Sequence, residues 1–345
     1  LWIISVRKSK PDLNPLYQWY AREHRKLPFR ETRDPYRIWV SEIMLQQTRV
    51  AAMLERYNQF IRRFPNIESL AKSSEEEVVL MWQGLGYYSR AKNLRKGAQL
   101  VTERWRGKFP DTKEEALLIP GIGDYTASAV LSISHNSAYA AFDGNVRRVT
   151  ARLFYPEAQN DRAARKKAQE VLSGAEPGMH NQAMMELGAV ICVPGLPACD
   201  RCPISADCNA FSQGGRELAA RIPAKQKKEK LEVQMDFYSI EQGERVILVQ
   251  DPEARFLPGH WMFPSRLRMT GIDRVTPGFS GVVLREALGT IKHTITKHSI
   301  AGHLWRAGPP FDLSRVSWRE VRKSELRDVL ASSLGLKLAR LIPET

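Results

Sequence analysis

Long apolar runs are missing from this sequence of 345 residues, and cysteine is scarce, with four in the whole chain. No stretch comes near the ~18 consecutive apolar residues that a membrane-spanning helix needs, so we expect a protein that does not cross a bilayer. The opening segment LWIIS is too short for the apolar core of a signal peptide, and no basic region precedes it. We therefore expect a cytosolic or organellar-matrix protein.

Acidic residues are fewer than basic ones. The chain has 52 Lys and Arg against 38 Asp and Glu, which gives a formal net charge of +14. An excess of this sign favours a polyanionic partner such as nucleic acid, because neutralised phosphates release their counterions. The charge alone is also compatible with a membrane surface or with a merely solvated face.

Strand-like alternation is scarce before about residue 211, where apolar residues recur at the spacings of three and four that are typical of helices. Asp34 followed by Pro35 predicts the start of a helix that runs to about Arg49 and is apolar almost all round. The segment 212–230 contains glycines, a proline and a basic run but little periodicity, so it predicts an interdomain linker.

The pattern of apolar residues changes beyond this linker. LEVQMDFYSI alternates, EQGE is a turn candidate and RVILVQ follows, which predicts a β-hairpin. We expect a last helix from about Ser317 to Leu338. The chain is therefore predicted to have a mainly α domain over 1–211, a linker over 212–230 and an α/β (α+β) domain over 231–345.

The cysteines form one C-x6-C-x2-C-x5-C run and leave none elsewhere for a disulfide framework. Four thiolates so close in sequence can converge on one metal centre. We favour an iron-sulfur cluster. Structural zinc stays open as an alternative, although zinc ribbons usually present two tight C-x2-C pairs, and so do free or disulfide-bonded cysteines. The four residues are Cys192, Cys199, Cys202 and Cys208.

Two carboxylates, Glu42 and Asp143, are candidates for catalytic residues. Glu42 shares a helix face with Ile38 and Leu45, on a helix that should be buried. Burial would raise its pKa and suit it as a general acid; a Glu at a helix end or paired with an Arg is the structural alternative. Asp143 precedes a predicted helix, so a helix N-cap is the alternative for that residue.

The segment Ile119–Gly123 separates two helical stretches. Its glycines, Gly121 and Gly123, allow a tight turn with exposed backbone N–H groups ahead of a helix N-terminus, a geometry that can hold a phosphate. A plain connection between helices is the alternative. Because apolar residues follow at helical spacing and the chain is basic, we favour a helix-hairpin-helix DNA clamp.

The motifs named so far resemble those of a known family. IPGIGDYTASAV, FDGNV and the cysteine run resemble the endonuclease III superfamily, whereas LPFR, SEIMLQQTRV, GLGYYSRA and NQAMMELGAVIC resemble MutY-type adenine DNA glycosylases more narrowly. This resemblance covers roughly residues 13–211. A looser one, through PGHWMFP and HTITKH, links about 231–340 to the Nudix-related recognition domain of MutY.

The resemblance implies a substrate and a chemistry. The substrate is adenine opposite 8-oxoguanine or guanine in double-stranded DNA, and the adenine must be flipped out of the stack. Glu42 matches the general acid that protonates adenine N7. Asp143 matches the carboxylate that stabilises the oxocarbenium-like sugar, either as a covalent nucleophile or electrostatically.

Further residues match family positions around the substrate. Tyr125 and Asn145 match residues that contact the two carboxylates, and Glu186 matches one that helps bind adenine. Tyr125 stands where lyase relatives have a Schiff-base lysine, so the resemblance implies base excision without strand cleavage. The pocket and wedge positions implied in the same way are Phe29, Arg30, Leu45, Gln47, Thr48, Leu85 and Tyr87.

The 8-oxoguanine sensor departs from the family. Its Phe-Ser-His element aligns here with Ile295, Thr296 and Lys297, so a hydroxyl is kept but a ring is replaced by a charged amine. The second domain also lacks the glutamate-rich box of Nudix hydrolases, which implies a recognition role. We expect one structural 4Fe-4S cluster that fixes the loop around Arg201, and a monomeric protein that in a bacterium would be cytoplasmic and nucleoid-associated.

Overall fold

The computed structural model describes residues 10–172, 176–223 and 230–343. These residues form two compact units: the first holds 10–78 and the described part of 89–223, and the second holds 79–88 and 230–343. Within these ranges, no helix is both long and apolar enough to pass through a membrane.

Every regular element described in the first unit is helical. Its helices are α1 (Asn14–Glu23), α2 (Pro35–Leu45), α3 (Val50–Arg63), α4 (Ile67–Lys72), α5 (Glu75–Met81, whose last turn belongs to the second unit), α6 (Ser89–Trp105), α7 (Lys113–Ala116), α8 (Asp124–His135), α9 (Gly144–Leu153), α10 (Asp161–Leu172), α11 (Pro177–Val190) and α12 (Asn209–Arg221). Short 3-10 turns lie at Pro28–Arg30, Cys199–Arg201 and Ser205–Asp207. The prediction of a mainly α domain is thus confirmed.

Helix α2 begins as predicted but ends earlier. The Asp34 carboxylate accepts a hydrogen bond from the Tyr36 backbone N–H at 2.9 Å, and Pro35 occupies the first turn. The helix stops at Leu45 rather than near Arg49, and Gln47 has a left-handed φ of 59°. The early end leaves residues 46–49 as a loop at the C-terminal end of α2.

Two helices without a polar face pass through the middle of the first unit. Almost all of α2 is buried, and so is α8 from Thr126 to Ile133. The two pack against each other, while α11 packs against both α8 and α9. Polar groups on such helices cannot reach solvent, so any charge on them must be neutralised or hydrogen-bonded.

The predicted linker is partly helical. Residues 212–221 belong to α12, which kinks where Gly214 and Gly215 leave helical geometry and then continues. Ala219 and Ile222 are buried in one cluster with Ala151, so this segment packs as part of the first unit. The remainder of the predicted linker, 224–229, lies outside the described residues.

The second unit is built on a mixed sheet. Its strands are β1 (Leu231–Gln242), β2 (Arg245–Gln250), β3 (Trp261–Met262), β4 (Ser265–Met269), β5 (Ile272–Val275), β6 (Val283–Ile295), β7 (His298–Gly308) and β8 (Ser317–Arg322), and α13 (Leu326–Val329) and α14 (Ser333–Ala339) follow. β1 runs parallel to β7 and antiparallel to β2 and β4. The predicted β1–β2 hairpin is confirmed, with Gln242 opposite Arg245.

The prediction of one helix from Ser317 to Leu338 is wrong. Ser317–Arg322 forms β8, which pairs antiparallel with β2 along its whole length. Because Val246 to Val249 of β2 are buried, their backbone groups need a neighbouring strand, and β8 supplies it. Only the short helices α13 and α14 remain of the predicted helix.

Candidate active site

One cavity of about 680 Å³ in the first unit gathers most of the predicted site. It lies between α2, α8, α9 and α11. Gln46, Met185 and Gln182 also contribute to its wall. The predicted residues that line it are Phe29, Arg30, Glu42, Leu45, Gln47, Thr48, Tyr125, Asp143 and Asn145.

Glu42 is a buried carboxylate on α2, only 5% exposed. The Tyr125 hydroxyl donates a hydrogen bond to its Oε2 at 2.5 Å. Burial raises the pKa of Glu42 to about 7, and the negative charge of Asp143 adds to the rise, whereas the Tyr125 hydrogen bond and Arg30 oppose it. Glu42 can therefore hold a proton near neutral pH.

Asp143 is the N-cap of α9. Its Oδ1 accepts from the Val146 backbone N–H at 2.7 Å, and its Oδ2 accepts from Nδ2 of Asn145 at 2.9 Å. Burial raises the pKa of Asp143 above its usual value, while these hydrogen bonds act in the opposite direction. The N-cap alternative is thus correct, and the same carboxylate also faces the cavity.

Asn145 is held from its other side by Arg148. The Arg148 guanidinium donates to Asn145 Oδ1 at 2.8 Å and to the backbone carbonyls of Gly188 at 2.7 Å and Cys192 at 2.7 Å. Arg148 therefore joins α9 to the end of α11 and to the start of the cysteine run.

Glu186 does not line the cavity but lies fully buried beside it. Arg25 donates to both of its oxygens, at 2.7 and 2.6 Å, and Arg30 donates to Oε2 at 2.6 Å. Burial works to raise the pKa of Glu186, but the two guanidinium groups outweigh it and lower the pKa to about 2. In this structure Glu186 orients Arg25 and Arg30, and both of these arginines do line the cavity.

All basic side chains on the described cavity wall are arginines: Arg25, Arg30, Arg147 and Arg165. The two nearer α10 each pair with a carboxylate, Arg147 with Asp161 at 2.5 Å and Arg165 with Asp124 at 3.2 Å. No lysine amine is present on that wall.

The loop after α2, with Gln47 and Thr48, is held by Arg90 of α6. The Arg90 guanidinium donates to the carbonyls of Ile43, Met44 and Gln46 at 2.7, 3.2 and 2.5 Å and to the Thr48 hydroxyl at 3.3 Å. These carbonyls are those that the end of a helix leaves without an intrahelical donor.

The glycine turn adopts the predicted conformation. Gly121 has a φ of +83°, and a Cβ there would lie 2.8 Å from Cβ of Asn93, so only glycine suits the position. Gly123 is the N-cap residue of α8. Contact of either glycine with phosphate stays a prediction.

The remaining predicted residues belong to the second unit. Leu85 is buried and Tyr87 is 38% exposed, in a loop that follows α5. Thr296 and Lys297 form the turn between β6 and β7, and Thr296 has a left-handed φ of 52°. Tyr87 is thus accessible to a partner, whereas the Leu85 side chain is not in this conformation. The roles of all four residues stay predictions.

The four cysteines are all free of disulfide bonds. Burial, together with the charges of neighbouring thiols, raises the pKa of Cys202 to about 12 and that of Cys208 to about 11. Cys192 contributes to both shifts, so the thiols lie within electrostatic reach of one another. Among the described residues, no three His, Cys, Asp or Glu side chains are grouped so as to hold a metal ion.

Arg152 of α9 holds the cysteine loop through hydrogen bonds. This guanidinium is 2% exposed and donates to Cys192 Sγ at 3.2 Å and to the backbone carbonyls of Val193, Gly195 and Ile222 at 3.0, 3.2 and 2.9 Å. Arg152 therefore connects the Cys192 sulfur to the backbone of the loop that follows it.

Sequence reasoning missed Arg25, Arg90, Arg148 and Arg152. A signal existed for Arg148, since it follows Asn145 by three positions on one predicted helix and must share its face. No local signal points to Arg25 or Arg90, because their partners are remote in sequence, 161 residues away for Arg25 and Glu186.

Comparisons with known proteins agree with the fold of the first unit. The HhH-GPD superfamily model of base excision DNA repair proteins matches residues 40–173. The adenine DNA glycosylase of Buchnera aphidicola subsp. Acyrthosiphon pisum is 41% identical over 198 residues, covering 56% of this chain and 57% of that protein. A solved structure of a thermostable thymine-DNA glycosylase aligns with a TM-score of 0.55 and 27% identity, over 58% of this chain and 95% of that one.

A longer match is with the adenine DNA glycosylase of Arabidopsis thaliana, 36% identical over 304 residues, covering 76% of this chain and 48% of that protein. Because 76% exceeds what the first unit can supply, this similarity extends into the second. The chain spans about half the length of the curated relatives it matches. The first unit thus has the fold of helix-hairpin-helix DNA repair glycosylases. Residues 40–173 match the HhH-GPD superfamily, and the chain is similar to adenine DNA glycosylases of the MutY type.

Proposed function

We propose that this protein is an adenine DNA glycosylase of base excision repair, which removes adenine opposite 8-oxoguanine or guanine in double-stranded DNA. One observation carries the proposal: a buried carboxyl with a pKa of about 7, Glu42, shares a cavity with Asp143, the second carboxylate. Two carboxyl groups with separate environments can act as acid and as charge stabiliser at one glycosidic bond.

The cavity is suited to an extrahelical base. No side chain reaches a glycosidic bond inside the stack, so the adenine must leave the duplex before reaction. The volume of about 680 Å³ lies within the ~300–1,000 Å³ typical of small-ligand sites. Phe29, buried and packed edge-on against Tyr57, offers the base an apolar contact.

Glu42 supplies the proton. Its carboxyl donates to adenine N7, so that the base leaves as a neutral molecule rather than as an anion. The Tyr125 hydroxyl orients the carboxyl through its 2.5 Å hydrogen bond. Because that bond favours the ionised form, it also stabilises Glu42 after the proton has left.

Asp143 stabilises the positive charge that develops on the sugar as the bond breaks. Its orientation comes from the Val146 N–H and from Asn145, which Arg148 holds in turn. Water then adds to the sugar and completes the hydrolysis. Among the described residues of the cavity wall there is no lysine amine to form a Schiff base, so we expect the strand to stay intact.

We also infer that Cys192, Cys199, Cys202 and Cys208 hold one 4Fe-4S cluster. The proximity of the thiols, the absence of disulfides and the Arg152 guanidinium that donates to Cys192 Sγ support one shared centre. The C-x6-C-x2-C-x5-C spacing, with one tight C-x2-C pair rather than two, favours an iron-sulfur cluster over a zinc ribbon. When bound, the cluster would cross-link the loop, which presents Arg201 to DNA phosphate.

The remaining assignments concern the duplex. We propose that Gly121 and Gly123 bind phosphate, and that Gln47, Thr48, Leu85 and Tyr87 fill the gap left by the flipped base. The second unit acts as a Nudix-related recognition domain, in which Thr296 and Lys297 meet the opposite base. The extension of the Arabidopsis match into this unit and its mixed sheet support that role.

The decisive experiment is single-turnover release of adenine from a labelled duplex with adenine opposite 8-oxoguanine, analysed with and without alkali. We expect strand cleavage only after alkali treatment. Cleavage without alkali would contradict the monofunctional assignment, and absence of any adenine release would overturn the proposed activity. Glu42→Gln serves as the inactive control.

A further inference from the structure

The loop Gln83–Tyr88, here called the wedge loop, has a costly backbone conformation. Gly84, Gly86 and Tyr87 all have left-handed φ angles, of +88°, +69° and +49°. Glycine adopts such angles freely, but Tyr87 does so at an energetic cost and only where its surroundings impose it. Something in the second unit must therefore hold this loop.

Part of the restraint is internal. The fully buried Trp82 donates from its indole N–H to the Gly86 carbonyl at 3.3 Å, and the Gly84 N–H donates to the Tyr88 hydroxyl at 3.4 Å. These two bonds close the loop on itself. They do not determine where the loop lies on the second unit.

Gln83 provides one external anchor. Its Nε2 donates to the backbone carbonyls of Arg327 at 3.0 Å and Leu330 at 3.5 Å. Both carbonyls lie at the end of α13, where helical carbonyls lack intrahelical donors. A side-chain amide in this position connects the loop to α13 and supplies the missing donor.

His260 provides the other anchor. Its ring packs edge-on against the ring of buried Tyr88, with centroids 4.9 Å apart. His260 follows Gly259, which has a φ of +67° and whose carbonyl accepts from Gln250 Nε2 at 2.8 Å. The turn belongs to the PGHWMFP motif, which the proposed function leaves without a role.

We infer that Gln83 and His260 are positioning residues for opposite-base discrimination. They hold the wedge loop in one conformation, so that Tyr87, which is 38% exposed, is presented to the duplex without first being ordered. Ordering a loop during binding costs free energy that a preorganised loop does not pay. The inference rests on the proposed function, since it needs a wedge that enters DNA.

The test compares matched variants. Gln83→Met keeps a side chain of similar length but removes the amide N–H donor. Gln99→Met is its control, since Gln99 donates to the Ala71 carbonyl at 3.4 Å in the first unit. His260→Ala removes the ring, and His260→Phe restores an edge-on ring contact. Each variant is assayed for single-turnover adenine release opposite 8-oxoguanine and opposite guanine, and for thermal unfolding.

We expect Gln83→Met and His260→Ala to lower the 8-oxoguanine-to-guanine rate ratio by about fivefold, as for loss of one ordinary contact. His260→Phe and Gln99→Met should keep the parental ratio. A second readout is the fluorescence of 2-aminopurine placed beside the 8-oxoguanine, which rises when a wedge unstacks it. Gln83→Met and His260→Ala should show a smaller rise in this fluorescence than the parental protein.

An unchanged ratio in both variants, or an equal fall in Gln99→Met, would overturn the inference. If Gln83→Met fails to fold, the comparison of His260→Ala with His260→Phe decides. Should the parental protein release no adenine at all, the proposed function fails, and the 2-aminopurine signal still tests whether Gln83 and His260 hold a wedge.

Discussion

Arg148 donates a hydrogen bond from its guanidinium to Oδ1 of Asn145 at 2.8 Å. A guanidinium can only donate, so the amide oxygen of Asn145 must face Arg148. The amide nitrogen therefore faces Asp143, to which it donates at 2.9 Å. Arg148 thus determines which group Asp143 meets. The same guanidinium binds the Cys192 carbonyl, so the cysteine run and Asp143, the proposed catalytic carboxylate, share one positioning residue.

Arg148→Gln is expected to lower the rate of adenine release by about 10- to 100-fold, the range for a misplaced reacting group. Single-turnover kinetics at saturating protein measures the loss, and gel-shift titration checks that DNA affinity changes less. The control is Arg62→Gln, an exposed arginine that donates to the Asn58 carbonyl on α3. Parental kinetics in Arg148→Gln would show that Asn145 needs no support.

The raised pKa of Glu42 predicts a pH dependence. If the protonated carboxyl is the acid, as proposed, the rate should be highest below about pH 7 and fall as pH rises through the Glu42 pKa of about 7. At lower pH the rate should fall again as Asp143, whose pKa is also raised, takes up a proton. Glu42→Gln should lose at least about 100-fold in rate.

Tyr125→Phe tests the origin of that pKa. The Tyr125 hydrogen bond lowers the pKa of Glu42, so its removal should move the alkaline fall in rate to higher pH. Tyr139→Phe, at a tyrosine that does not line the cavity, should leave the profile in place. A shift to lower pH in Tyr125→Phe would show that the hydroxyl stabilises the protonated acid instead.

The absence of lysine from the described cavity wall predicts that the protein forms no Schiff base with the abasic sugar. Borohydride added during turnover should trap no protein–DNA adduct. Tyr125→Lys places an amine beside Glu42 and should create a trappable adduct, which serves as the positive control. A parental adduct would mean that an amine from elsewhere reaches the sugar.

Iron analysis tests the cysteine run. Purified protein should contain about four irons and four sulfides per chain, and Cys202→Ser should retain far less of both. Ser205→Ala, within the same loop, should keep the parental content. Stoichiometric zinc without iron would show that the run is a zinc site.

Thr296→Ala addresses the departure from the family's Phe-Ser-His element. If Thr296 meets the opposite base, its loss should lower the rate opposite 8-oxoguanine more than the rate opposite guanine, so that the ratio of the two rates falls. Thr294→Ala, on the same hairpin in β6, should leave the ratio unchanged. Equal losses on both substrates would place the sensor at another residue.

Local rules in the sequence were enough for several elements. The Asp34–Pro35 start of α2, the β1–β2 hairpin and the N-cap of α9 at Asp143 all follow from capping and periodicity within a few residues. The position of Glu42 on an apolar helix predicted a buried carboxylate, and its burial is confirmed. The spacing of the four cysteines predicts one metal centre, and that centre stays a prediction.

Only the tertiary structure decided which distant groups meet. Ser317–Arg322 is a strand because buried β2 required a partner, and Glu186 binds Arg25 and Arg30 because folding brings α11 to the segment after α1. The anchoring of Gln83 on α13 spans 244 residues. Periodicity and caps report on neighbours within a turn or two, whereas the pairing of buried charges and backbone groups depends on which surfaces the whole chain brings together.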